Sequence, residues 1–355
     1  MAASANLKRA LSVLNRCLAL QRPRLYPQLA SQCRYKRYET YERQRAPTQP
    51  TRGSMRIPST PRKQFFKDEI LDLKSLPRLH VEAFIHHKGD EFNLIPPAGY
   101  YASLMAYTQY IRDYDSPFQL VSPSQDLPRA AVLHDLGCII MEASRGFKSH
   151  LAASLWFTAT NWGYAPSACS LAAFLARSGQ YGKEDFFAPA EKRFRALVKG
   201  GDPIAMAIEG EILYREGKYG EAETILNNVL RKQKHHSDSS AGGLRNWEPN
   251  FRLTLGKTLG KRGKTDQAVA ILRRLSEEGY IEADPQLGKT LRASEPDEAL
   301  QYLFKAGCTG ALDCFEEMAT IKLDKAAKAG NSSEANDHRL WAQELTRLAD
   351  KNAAF

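Results

Sequence analysis

Two stretches of this chain repeat the same glycine and alanine spacing, and that recurrence constrains the fold more than any other feature. Gly210, Gly217 and Ala222 are separated by seven and then five residues, and Gly256, Gly263 and Ala268 reproduce both intervals. The dipeptides Gly217-Lys218 and Gly263-Lys264 are followed by apolar residues at helical spacing: Ala222, Ile225, Leu226 and Val229 in one stretch, Ala268, Ile271, Leu272 and Leu275 in the other. The first glycine of each set lets a neighbouring helix approach closely, the second ends its helix, and the alanine fits a crowded crossing point. The spacing therefore predicts antiparallel helix pairs. Alternating apolar runs bounded by turn residues, the mark of strands, are missing from a body rich in Ala, Leu, Glu, Lys and Arg.

Further helix junctions surround these two units. Ala299 lies in a run from Glu298 to Gly307 that is followed by Gly310-Ala311, so one helix is expected to end in Ala306-Gly307 and the next to begin at Ala311. Similar junctions occur at Gly163-Tyr164-Ala165, Gly201-Asp202-Pro203 and Gly279-Tyr280-Ile281. These residues resemble the tetratricopeptide repeat and, at the junctions, its Sel1-like relative. The resemblance covers residues 128–355 and implies an all-α fold, an irregular α-solenoid of antiparallel helix hairpins. Irregularity is expected because Gly146, Gly179, Gly217 and Gly263 are offset by 33, 38 and 46 residues. The surplus over a minimal repeat of about 34 residues falls in 234–247, which reads as a surface loop. Residues 64–127 are expected to form short helices, over 67–76, 80–87 and 98–114, packing with loops on the solenoid. A helix over 338–351 is expected to cap it.

The N-terminus has a different character. Leu7, Ala10, Leu11, Leu14, Cys17 and Leu18 form an apolar stripe, Lys8, Arg9 and Arg16 lie off it, and the basic run continues through Arg34 and Arg37 before the first carboxylate at Glu39. An arginine-rich, acid-free, amphipathic segment is the composition of a mitochondrial presequence, so residues 1–38 are read as one. Arg34 and Arg37 each precede a tyrosine, which places cleavage after Tyr35 or Tyr38. Residues 39–63, with Pro47, Pro50, Pro58 and Pro61, read as a disordered basic linker. Residues 1–63 hold 14 of the 50 Lys and Arg but two of the 40 Asp and Glu. The remainder carries 36 basic and 38 acidic residues, so the formal net charge of +10 says little about the folded body.

The candidate chemistry is sparse. His134 and Cys138 sit four apart, as two ligands on one helix face would, but no second pair at ligand spacing accompanies them. His86-His87 and His235-His236 are adjacent residues whose side chains diverge on a helix. No phosphate loop, dinucleotide fingerprint, nucleophile elbow or HExxH is found, so no enzyme, cofactor or metal is expected. Tyr100, Tyr101, Tyr107, Tyr110 and Tyr114 have only Arg112 interleaved, which favours packing over a base-stacking platform. The six cysteines form no CxxC pair and fit buried thiols. No apolar run approaches the ~20 residues that span a bilayer.

The expected function is a mitochondrial scaffold or adaptor, in the matrix or on the matrix face of the inner membrane. It would hold a protein partner during respiratory-complex assembly or organelle translation. The competing reading is a helical-repeat RNA-binding or mitoribosome-associated protein, with nucleic acid or the membrane surface touching the basic arm 39–63.

Overall fold

In a computed structural model of the chain, residues 69–144, 148–235 and 242–350 are described. The expected presequence, the basic arm and Gly146 lie outside them. All regular structure among the described residues is helical, as the body's composition predicts. The chain divides into two compact units between Glu216 and Gly217.

The N-terminal unit holds α1 (Arg78–Lys88), α2 (Pro97–Ile111), α3 (Ala130–Ala143), α4 (Ser149–Asn161), α5 (Ala165–Arg177), α6 (Ala188–Lys199) and α7 (Pro203–Arg215). Each helix packs on the next, and α1 with α3, α4 with α6 and α5 with α7 also touch. Helix α4 is central: every residue from Leu151 to Thr160 is buried. A helix enclosed on all sides needs no polar face, and Leu-Ala-Ala-Ser-Leu-Trp-Phe-Thr-Ala-Thr carries no charge. Its hydroxyls are satisfied internally. Ser154 donates to the Pro117 carbonyl at 2.5 Å and meets the Tyr107 hydroxyl at 2.7 Å, while Thr160 donates to the Trp156 carbonyl at 2.7 Å. The core is aromatic, with Tyr100, Tyr107, Phe157 and Phe194 fully buried. Buried residues from Ile70 to Ala190 form one continuous cluster, so residues 70–127 share this core.

The C-terminal unit holds α8 (Tyr219–His235), α9 (Gly242–Lys261), α10 (Thr265–Glu277), α11 (Ala283–Leu291), α12 (Pro296–Cys308), α13 (Asp313–Lys328) and α14 (Ser332–Ala349). Sequential helices again pack together, and α9 also touches α11. On α10, Ala268, Leu272 and Leu275 are buried at the predicted spacing, each leucine contributing roughly 1.5–3 kcal/mol relative to exposure. The chain leaves α9 through Gly263, whose φ of +73° only glycine adopts at little cost. There the Lys264 N–H reaches back to the Leu259 carbonyl at 3.0 Å, the Schellman closure. The N–H groups of Tyr164, Gln180, Asp202, Tyr280 and Ala311 donate the same six-to-one bond, which is the physical content of the recurring junctions.

Four local expectations change. The loop read over 234–247 is largely helical: α8 runs to His235 and α9 starts at Gly242, so the insertion extends two helices, and only residues between them lie outside the described chain. The helix ending at Gly307 continues to Cys308, and Gly310, at φ +96°, terminates it. The last helix begins at Ser332 rather than 338, because Asn331 accepts from the Glu334 N–H at 2.7 Å while its amide donates to the Glu334 carboxylate at 3.3 Å, a reciprocal cap. The helix read over 67–76 stops at Leu71 within the described residues. Asp72 accepts from the Lys74 N–H at 3.1 Å, a local turn that competes with helix.

Candidate functional site

Helix α3 carries His134 and Cys138, a pair that the sequence spaces like metal ligands. His134 Nε2 and Cys138 Sγ are 3.7 Å apart, and His134 Nδ1 meets the Ser167 hydroxyl at 3.1 Å. The imidazole lies beside Tyr164, ring centroids 5.4 Å apart. Burial lowers His134 to about 4, and burial, aided by the Asp135 and Glu142 carboxylates, pushes the Cys138 thiol up to about 12. Near neutral pH this is a neutral imidazole beside a protonated thiol, the reverse of an activated nucleophile. Burial also raises the neighbouring Asp135 carboxyl, which accepts from the Tyr100 hydroxyl at 2.7 Å. Among the described residues no group of three His, Cys, Asp or Glu is placed to hold a metal ion. The cluster ties α2, α3 and α5 together.

The other sequence candidates disperse. His86 and His87 are exposed on the last turn of α1. His235 ends α8, and His236 lies outside the described residues. Tyr100 and Tyr107 are buried in the core, and Tyr110 and Tyr114 lean on each other with hydroxyls 3.0 Å apart. Of the repeat-defining residues, Ala222, Ala268 and Ala299 are fully buried and Ala311 nearly so, while Gly217 and Gly263 have φ of +79° and +73°. Gly210 is buried within α7. A Cβ on Gly256 would stand 2.9 Å from Leu272, and one on Gly307 would stand 2.7 Å from Phe315, so both permit close side-chain approach.

What composition and spacing miss is an open cleft of about 540 Å³ in the N-terminal unit. Its walls are the connection between α2 and α3, the end of α4 and the start of α6. That connection, residues 112–129, is long and has no regular structure, a length that in compact domains usually serves function. It is pinned rather than loose: Trp162 Nε1 donates to the Val121 carbonyl at 2.6 Å, and the Phe118 ring meets Phe157 edge-on at 6.1 Å. Leu120, Pro123 and Pro189 supply apolar lining, and Leu120 is 58% exposed. Two residues before Leu120, Phe118 stacks on Phe186, itself 43% exposed, at 5.2 Å.

The polar lining is all donor-rich. Arg193 of α6 donates through Nη2 to the carbonyl of Asn161, the last residue of α4, at 2.9 Å. That bond places a cation on the negative end of the α4 dipole and holds the guanidinium at the cleft edge with most of its donors unused. The side-chain amide nitrogen of Asn161 is enclosed and has no hydrogen-bond partner. The cleft has no acidic lining residue. On α6 the one carboxylate, Glu191, is turned inward, accepting from the Gly182 N–H at 2.8 Å and pairing with Arg195 at 3.3 Å. Lys192, Arg193 and Lys199 have no carboxylate partner among the described residues. A basic excess on one helix beside a long proline-containing connection was the available sequence signal.

Compared with known proteins, the chain matches no protein-family model and no curated protein.

Proposed function

We propose that the protein is a mitochondrial interaction scaffold, an irregular α-solenoid of tetratricopeptide or Sel1-like antiparallel helix hairpins that holds a protein partner in respiratory-complex assembly or organelle translation. The observation that carries this reading is the serial packing of each helix on the next within both units, closed repeatedly by the same glycine-centred bond. Stacked units of this kind present extended side-chain surfaces rather than a single catalytic point. The address rests on the acid-free, arginine-rich stripe of residues 1–38. The inward-turned titratable groups support binding over chemistry, since His134 and Cys138 are held in their neutral forms.

The test is co-purification of the full chain from mitochondria under gentle lysis. A stoichiometric protein partner is expected, together with import and shortening of the N-terminus in isolated organelles. A partnerless protein, or one recovered only with RNA that nuclease treatment releases, would overturn the scaffold reading.

A further inference from the structure

We infer that the cleft between residues 120–123 and the Asn161–Arg193 contact binds an acidic linear segment of the partner protein, with a carboxylate on Arg193 and Asn161 and a large apolar side chain over Leu120 and Pro189. The inference rests on the scaffold reading and adds to it a place and a ligand chemistry.

Three observations converge on it. First, the enclosed Asn161 amide nitrogen has no partner in the folded chain. A buried donor left unmade costs about 1–3 kcal/mol, and a turn of the Asn161 side chain in the cleft wall presents it to an incoming acceptor. Second, the guanidinium of Arg193 is anchored by its 2.9 Å bond to the Asn161 carbonyl, so little side-chain freedom is lost when a carboxylate takes its remaining N–H groups. Third, Leu120 stands 58% exposed in the cleft wall beside Pro123 and Pro189. An apolar rim beside an anion-reading centre selects a peptide with both features. The charge of α6 extends the match: Lys192, Arg193 and Lys199 are unpaired among the described residues, and its acid is turned inward. Arg193 is the one of these in the cleft lining, and the basic helix around it would draw a negative segment and repel a positive one.

A nucleic acid would use the same cations, but it would stack bases on exposed aromatic faces. Trp162 is the aromatic residue among the cleft's lining, and its indole is only partly exposed, with Nε1 committed to the Val121 carbonyl. The apolar contacts offered are Leu120 and two prolines, which suit an aliphatic side chain.

The experiment uses the full chain and a labelled peptide of Glu and Leu residues, compared with its Gln and Leu analogue and with single-stranded RNA. The acidic peptide is expected to bind, and the Gln analogue roughly tenfold or more weakly, as loss of a charge-assisted contact requires. Arg193→Glu and Leu120→Ser should each abolish binding at the same peptide concentration. Leu120 is exposed and makes no side-chain bond that the fold needs, so Leu120→Ser reports on the cleft even if Arg193→Glu disturbs the end of α4. Equal binding of both peptides, unchanged binding by Leu120→Ser, or RNA as the tighter ligand at this face would overturn the inference. Co-purification with the Leu120→Ser, Arg193→Glu double variant separates the two readings. A partner retained by both the wild-type chain and the variant keeps the scaffold and removes the cleft, whereas no partner with either removes the scaffold.

Discussion

Both units are built from serially packed helices, yet their interiors differ in kind. The N-terminal unit surrounds one wholly buried helix with aromatic rings and ties distant segments by hydroxyl and indole bonds: Tyr107 to Ser154 and Thr158, Tyr100 to Asp135, Trp156 to the His134 carbonyl. The C-terminal unit is filled by alanine and leucine, and its helices come so close that a Cβ on Gly288 would lie 2.6 Å from Leu303. Across its surface run ion pairs that link one helical segment to another: Arg252 with Glu278, Arg273 with Glu298, and Lys289 and Arg292 with Glu317. Large rings fill irregular gaps and leave a cleft where a loop must close them. Small residues give uniform spacing, and the rows of long charged side chains follow from it.

Removing a ring should break the comparison most sharply. Phe157 is fully buried and meets Phe118 and Phe187 edge-on at 6.1 and 5.9 Å. Phe157→Ala is expected to destabilise the N-terminal unit by about 3–5 kcal/mol. Hydrogen exchange read by peptide should show protection lost over 69–216 and kept over 217–350. Equal loss in both would mean that the two units unfold as one.

Acid should separate the units next. The His134 imidazole titrates near 4 in the folded chain, below its ordinary 6.5, because it is buried. Between those values the unfolded chain binds a proton that the folded chain does not. The N-terminal unit therefore keeps full stability above about pH 6.5 and loses roughly 3 kcal/mol as pH falls to about 4. Glu211, paired with Arg177 at 2.7 Å, acts lower on the scale. Burial alone would raise its carboxyl, but Arg177 and Arg215 pull it down to about 2, so its share is present above about pH 4.5 and lost toward pH 2. Urea unfolding across this range should show the first slope in the wild type and a flattened one in His134→Gln. An unchanged slope would mean that the imidazole takes up its proton in the folded chain as readily as in the unfolded one.

The glycine contacts of the C-terminal unit give an intermediate effect and an internal control. Gly256→Ala forces a Cβ to 2.9 Å from Leu272, whereas at Gly260, four residues along the same helix, the nearest atom would be Thr290 Oγ1 at 3.9 Å. The first substitution is expected to cost about 1–3 kcal/mol by overpacking. The second should stabilise by up to about 1 kcal/mol, since alanine is the better helix former. Thermal melts that moved in the same direction for both would remove close approach as the reason for Gly256.

The helical class and the glycine junctions were legible because they depend on neighbours in sequence. A Gly at a helix end needs only the preceding turn, and Gly163, Gly201, Gly279 and Gly310, each read as a junction, all have positive φ. The helix expected to end at Ala306-Gly307 runs one residue further, to Cys308, and Gly307 has a second role that the sequence does not show. That role is set by Phe315 on the next helix, where a Cβ would lie 2.7 Å away. Helix α14 starts early through the Asn331 and Glu334 cap, a pairing visible in sequence but outweighed by the apolar run that begins later. The cleft was legible only as a basic excess on one helix and a long proline-containing connection, not as a site. Leu120, Asn161 and Arg193 come from three segments brought together by burial of α4, and none has a local pattern that marks it.

The smallest effect concerns the ion pairs that distinguish the C-terminal unit. Glu223 on α8 accepts from Lys264 at 2.7 Å and also pairs with Arg262, and its side chain is only 12% exposed although both partners are near 38%. Lys264 and Arg262 lower its carboxyl against the opposing effect of desolvation. Partly exposed pairs are screened and give back side-chain entropy, so Glu223→Gln is expected to cost no more than about 1 kcal/mol. Because the Debye length falls to about 3 Å in 1 M salt, most of that difference should vanish there. Urea midpoints for wild type and variant at low and high salt test the point. A cost that persists in high salt would make Glu223 a packing residue, and the contrast between the units would then rest on side-chain volume rather than charge.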